Sequence, residues 1–132
     1  MKMILCLDDN NGMLFNGRRQ SRDRALIEDV FNNLIEEKLN IFEFSKTLFL
    51  EYEDKICIVN GLEDDGAYFI ENLDITPFLS NITEVVVYKW NRVYPADFYC
   101  VIDFPALFFA AEQTELKGNS HEKITKIIWR KK

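Results

Sequence analysis

Met3-Ile4-Leu5-Cys6-Leu7-Asp8-Asp9-Asn10-Asn11-Gly12 opens the chain with five apolar residues that stop abruptly at a run of turn formers. That pattern predicts a strand buried on both faces and leading into a loop. The loop continues through Met13-Leu14-Phe15-Asn16-Gly17 to Arg18-Arg19-Gln20, after which Ser21 offers a hydroxyl as helix N-cap with Asp23 in the first turn. A helix is expected over Arg22 to Leu39, where Leu26, Ile27, Val30, Phe31, Leu34 and Ile35 recur at spacings of three and four and form one apolar stripe.

Downstream, apolar runs alternate with short helical signals. Asn40 to Phe44 reads as a second strand, and Ser45-Lys46-Thr47 as the start of a short helix toward Glu51. Lys55 to Val59 and Ala67 to Ile70 are further buried strands, separated by the acidic loop Glu63-Asp64-Asp65. Thr76-Pro77 supplies an N-cap and a first-turn proline for a helix reaching about Asn81. Such alternation predicts a largely parallel sheet with crossover helices on its faces. Beyond Glu84 the runs Val85 to Trp90, Phe98 to Ile102, Phe108 to Glu115 and Lys123 to Trp129 are all strand-like, the last two forming an antiparallel hairpin at the sheet edge. The expected fold is one α/β domain over residues 1–132, with a mixed, mainly parallel sheet, flanking helices and that C-terminal hairpin.

Composition narrows the function classes. With 48% apolar and 29% charged residues, 132 residues can bury a core, so one ordered domain is expected. A formal charge of −6 opposes long-range attraction to a phosphate backbone, which disfavours non-specific nucleic-acid binding. No apolar run approaches the length of a membrane span, and Asp8 and Asp9 interrupt the N-terminal segment before it could form a signal core. A cytoplasmic location is the expectation. Cys6, Cys57 and Cys100 are odd in number and sit in apolar runs, so they are expected to be reduced core residues. One histidine, His121, cannot build a zinc centre with scattered cysteines, and no metal is expected.

The order of these elements resembles dihydrofolate reductase. Ile4 to Met13 is similar to that family's opening strand and active-site loop, and Asp23 takes the place of its acid near the start of the first helix. Val85 to Ile102, Asn119-Ser120-His121 and Ile124 to Trp129 resemble its closing strands and their Asn-Ser-His turn, while Asp97 falls at the family's Gly-Asp step. The departures bear on function. Where the family has Pro-Trp, this chain has the Arg18-Arg19-Gln20 region, and where it has a glycine pair beside the cofactor pyrophosphate, this chain has Glu71-Asn72. Glu71 is expected to repel phosphate. Phe44-Ser45-Lys46-Thr47 stands in for the Gly-Arg-x-Thr phosphate motif, leaving Lys46 and Thr47 as cofactor contacts. The stretch from Val59 to Ala67 is shorter than the family's adenosine-binding segment, so NADPH is possible as cofactor but disfavoured. A threonine near the family's pterin falls close to Tyr88.

The strongest local signal is the set Arg18, Arg19, Arg22 and Arg24 in an otherwise acidic chain. Guanidinium forks at a helix start can hold a carboxylate or phosphate, or they can be solvated and paired with Asp23, Glu28 or Asp29. Asp23 is either the proton-handling or ring-binding carboxylate or a helix acid favoured by the dipole. Trp90, Tyr94, Phe98 and Tyr99 are read as packing or as a stacking surface, and His121 as a turn residue bonded locally. Three functions remain open. The first is a reductase-like binding module for a planar or anionic ligand such as a pterin or nucleotide. The second is an NADPH-dependent reductase with an unusual cofactor site, and the third is a non-catalytic interaction or regulatory domain.

Overall fold

The computed structural model describes residues 1–132. Its main sheet has seven strands, in the order Ile56–Ile58, Leu39–Ile41, Ala67–Phe69, Lys2–Leu7, Glu84–Lys89, Ile124–Lys131 and Phe108–Leu116. These are β1 (Lys2–Leu7), β4 (Leu39–Ile41), β5 (Ile56–Ile58), β6 (Ala67–Phe69), β7 (Glu84–Lys89), β9 (Phe108–Leu116) and β10 (Ile124–Lys131). Strand β1 runs parallel to β6 and β7, and β4 runs parallel to β5 and β6. The hairpin β9–β10 is antiparallel and is joined to the rest through β10 and β7, with a bulge between Ile128 and Trp129. The mixed, mainly parallel sheet read from the sequence is therefore the observed one.

Both faces of the central strands are buried, which is why their sequences run apolar without alternation. Met3, Leu5, Leu7, Val85 and Val87 face one core with Phe104 and Phe108. Ile4, Phe69, Val86 and Tyr88 face the other, beneath helix α1 (Arg24–Asn32), which contributes Leu26 and Val30. Each such Leu or Val contributes about 1.5–3 kcal/mol by leaving water.

Helix α1 is shorter than the apolar stripe predicts. Asp23, not Ser21, is its N-cap and accepts from the Ala25 N–H at 2.9 Å. Asn33 closes the helix, and Glu36 adopts a left-handed φ of 62°, so the chain has left the helical path before Leu39 enters β4. Ile35 is consequently 80% exposed. Phe31 lies half-buried, stacked on Tyr52 at 4.3 Å and edge-on to Phe49 at 5.7 Å. Phe31→Ala is expected to cost about 2 kcal/mol, below the range of a fully buried phenylalanine, while Ile35→Ala is expected to be close to neutral; urea denaturation of both variants checks the pair.

Three local expectations are corrected. Residues Gly12–Phe15 (β2), Arg18–Arg19 (β3) and Phe98–Tyr99 (β8) form a separate three-stranded sheet, where a loop through Met13 to Gln20 and a longer strand over Phe98 to Ile102 are expected. Its hairpin turns at Asn16 and Gly17, with φ of 52° and 70° between the paired residues Phe15 and Arg18. Asn-Gly suits that turn because both positions need positive φ. Glu43–Lys55 is a 3₁₀ segment interrupted at Phe49 and Tyr52, not a regular helix. Thr76 is the first residue of its 3₁₀ turn, Thr76–Asn81, and Asp74 supplies the side-chain acceptor at 3.0 Å.

Candidate functional site

In an open parallel sheet the ligand crevice lies beyond the carboxyl ends of the strands. Here those ends carry Asp8 after β1, Glu71 after β6 and Trp90 after β7, and the small β2-β3-β8 sheet brings Arg19 and Gln20 to them. Asp8 is fully buried without a cationic partner. Burial favours its neutral form, but the N–H groups of Gly12, Tyr94 and Asn10 and the Gln20 amide outweigh that and hold its carboxyl below the usual range. Its role is to fasten the loop after β1 to the loop after β7.

The Arg19 and Glu71 side chains meet across the strand ends. Arg19 Nε donates to Glu71 Oε1 at 2.8 Å and a terminal nitrogen donates to Oε2 at 3.0 Å, while Ser45 Oγ donates to Oε2 at 2.6 Å. The guanidinium also lies 5.6 Å from the Phe44 ring centre. This bidentate pair, with Glu71 8% exposed, raises the Arg19 pKa further above its ordinary value. Glu71 is thus not a bare charge but one paired with Arg19. Arg19 is correspondingly engaged, whereas Arg18, Arg22 and Arg24 are exposed and make no ion pair with Asp23, Glu28 or Asp29. Lys46 and Thr47 are exposed on the 3₁₀ segment, with Lys46 Nζ 4.0 Å from Glu43.

Asp23 is not a free carboxylate. Its oxygens accept from the Ala25 N–H, from the N–H groups of Asn119, Ser120 and His121 at 2.8, 2.8 and 3.1 Å, and from His121 Nδ1 at 3.0 Å. Burial alone would raise its pKa, but the donors of Asn119, His121, Ser120 and Ala25 prevail and hold it far below the usual range. The turn can wrap this closely because position 118 is glycine, where a Cβ would lie 2.3 Å from the His121 carbonyl oxygen. With these lone pairs occupied, Asp23 lacks the free face that a ring-binding carboxylate needs.

Tyr88 is likewise placed elsewhere. It is buried under α1, and its hydroxyl donates to Asp29 at 2.6 Å; burial and then Asp29 push its pKa up. Lys126 pairs with the same Asp29 oxygen at 2.8 Å. Among the cysteines, Cys100 is buried, Cys6 is partly buried and Cys57 is exposed on the edge strand β5, which corrects the expectation that all three lie in the core.

His121 is the residue whose importance the sequence concealed. It is 7% exposed, stacks on Trp90 at 4.6 Å, and presents Nε2 to Ser21 Oγ at 3.1 Å and to the Tyr94 hydroxyl at 2.9 Å. Three openings flank this cluster, one of them an open cleft of about 830 Å³ lined by Trp90, Ser120 and His121 itself. A cavity of about 20 Å³ is bounded by Cys6, Gln20, Ser21 and Glu71, among others, and an open cleft of about 590 Å³ lies between Phe15, Arg18, Gln20 and Tyr94. Gln20 borders both, and its Oε1 is a buried acceptor without a partner. Among the residues of this structure no group of His, Cys, Asp and Glu is arranged to hold a metal ion.

Comparison with solved structures identifies the class of fold: the chain has the architecture of dihydrofolate reductase. It is similar to the dihydrofolate reductase from Enterococcus faecalis complexed with NADP(H) and RAB-propyl, with a TM-score of 0.70 over 98% of this chain and 95% of that one, at 8% sequence identity. No protein-family model matches the sequence, and no curated protein matches it. No helix is long and apolar enough to cross a membrane.

Proposed function

We propose that this domain is a reductase-like binding module that takes a planar or anionic small molecule at the Arg18 edge of the cleft and carries out no hydride transfer. The observation that carries this reading is the Arg19–Glu71–Ser45 network across the strand ends. A nicotinamide dinucleotide needs its phosphates close to backbone N–H groups, and a glycine pair permits that approach. Glu71 and Asn72 have side chains there, Glu71 is an anion tied to Arg19, and Lys46 and Thr47 stand on a 3₁₀ segment without a regular helix start. These residues do not fit the cofactor.

The receptive surface proposed is the open cleft beside Arg18. Tyr94 and Phe15 offer aromatic faces and exposed Arg18 offers a fork for a carboxylate or phosphate. Helix α1 itself is no anion site, since Asp23 already caps it. The engaged Arg19 is a structural member of the wall.

A thermal-shift and calorimetric screen of pterins, folates and nucleotides tests the reading. A planar or anionic ligand is expected to raise the melting temperature by mass action, and Arg18→Ala to weaken binding by roughly tenfold without lowering stability. Binding should also weaken as salt rises, since exposed charges are screened over about 8–10 Å. Absence of any planar or anionic ligand, or affinity indifferent to the Arg18 substitution, removes the proposal.

A further inference from the structure

We infer that Ser21, His121 and Asp23 form a nucleophile, base and orienting carboxylate able to cleave a short-chain carboxylic ester. Ser21 Oγ lies 3.1 Å from His121 Nε2, and His121 Nδ1 lies 3.0 Å from Asp23 Oδ2. The hydrogen-bond relay is that of a serine hydrolase, which is recognised by geometry and not by fold. This site adjoins the anion cleft through Gln20 and Tyr94 but does not depend on that reading.

The tautomer follows from the partners. Ionised Asp23 can only accept, so Nδ1 carries the ring proton and Nε2 of the neutral imidazole is the acceptor facing Ser21. Backbone donations from Asn119, Ser120 and His121 fix the carboxylate, and Trp90 stacked on the imidazole fixes the ring plane. The N–H groups of Arg22 and Asp23, next in the chain after the serine, donate to no acceptor in the protein and are the candidate donors to an oxyanion. Ser21 is half-buried and borders the cavity of about 20 Å³, room for little more than one water, so only the smallest acyl group suits it. An acetate ester is the substrate class this geometry admits.

In the reaction Ser21 Oγ adds to the ester carbonyl carbon as its proton passes to His121 Nε2. The bond from that carbon to the alcohol oxygen then breaks, and the alcohol leaves with the proton. Water repeats the sequence on the acyl-serine, releasing the carboxylic acid and restoring the hydroxyl.

Tyr94 makes the inference sharply testable. Its hydroxyl, 2.9 Å from the same Nε2, competes with Ser21 for the single lone pair. Removing it frees the base for the serine, whereas a serine that merely braces the ring would gain no reactivity. The protein is treated with a fluorophosphonate probe, with labelled peptides mapped by mass spectrometry, and with p-nitrophenyl acetate and p-nitrophenyl butyrate. Label on Ser21, its loss in Ser21→Ala, a severalfold faster reaction in Tyr94→Phe and a preference for acetate are expected, with circular dichroism confirming that both variants are folded. Absence of label on Ser21 in both wild type and Tyr94→Phe, or a rate that Tyr94→Phe leaves unchanged or lowers, overturns it.

Discussion

Arg19→Ala is expected to destabilise the domain by about 2–3 kcal/mol, because it leaves the Glu71 carboxylate buried with only Ser45 as partner. The figure lies below that for a fully buried pair, since the Arg19 side chain is 23% exposed and part of its charge is already screened by water. The double variant Arg19→Ala/Glu71→Gln is expected to recover a substantial part of the loss, as it removes the stranded charge as well as its partner. Urea denaturation of the two variants and of Glu71→Gln alone closes a cycle. Additive losses would mean that the two side chains do not act as a unit and that the wall across the strand ends is a chance contact.

Asp23→Ala is expected to cost about 3 kcal/mol by combining loss of the helix cap with several stranded donors in the Asn119-Ser120-His121 turn. The same carboxylate predicts acid lability. Its folded pKa is depressed relative to an unfolded value near 4, so its stabilisation is fully present above about pH 5 and is lost as pH falls through that value toward the folded one. Asp23→Asn should therefore flatten the acid limb of the stability profile while lowering its plateau. Thermal melts between pH 3 and about 7 read both effects, and an unchanged acid limb would place the titrating group elsewhere.

Reading the sequence located the parallel core well, because Met3 to Leu7, Ala67 to Ile70 and Val85 to Trp90 are apolar runs whose character comes from burial on both faces. It also placed the β9–β10 hairpin, whose strands pair locally. Helix length was less legible: the apolar spacing continues to Ile35, but the Asn32-Asn33 pair and the left-handed Glu36 redirect the backbone. Asn16-Gly17 did carry a hairpin signal, but the strands it joins are too short to show alternation.

The candidate site was legible in composition and not in partnership. Four arginines stand out in the sequence, yet nothing local says that Arg19 reaches Glu71, 52 residues away, while Arg18 stays in solvent. Asp23 and His121 are 98 residues apart and meet only because the β10 end of the sheet returns beside α1. A long-range pair of that kind leaves no periodicity, and a buried histidine looks in sequence like any turn residue.

We propose that residues of the chain itself close the strand ends to a nicotinamide cofactor. Isothermal titration of the wild-type protein with NADPH tests it most directly. The account predicts no saturable heat and no rise in melting temperature; saturable binding abolished by substitution of Lys46 and Thr47, with reduction of dihydrofolate by the bound NADPH, would contradict it.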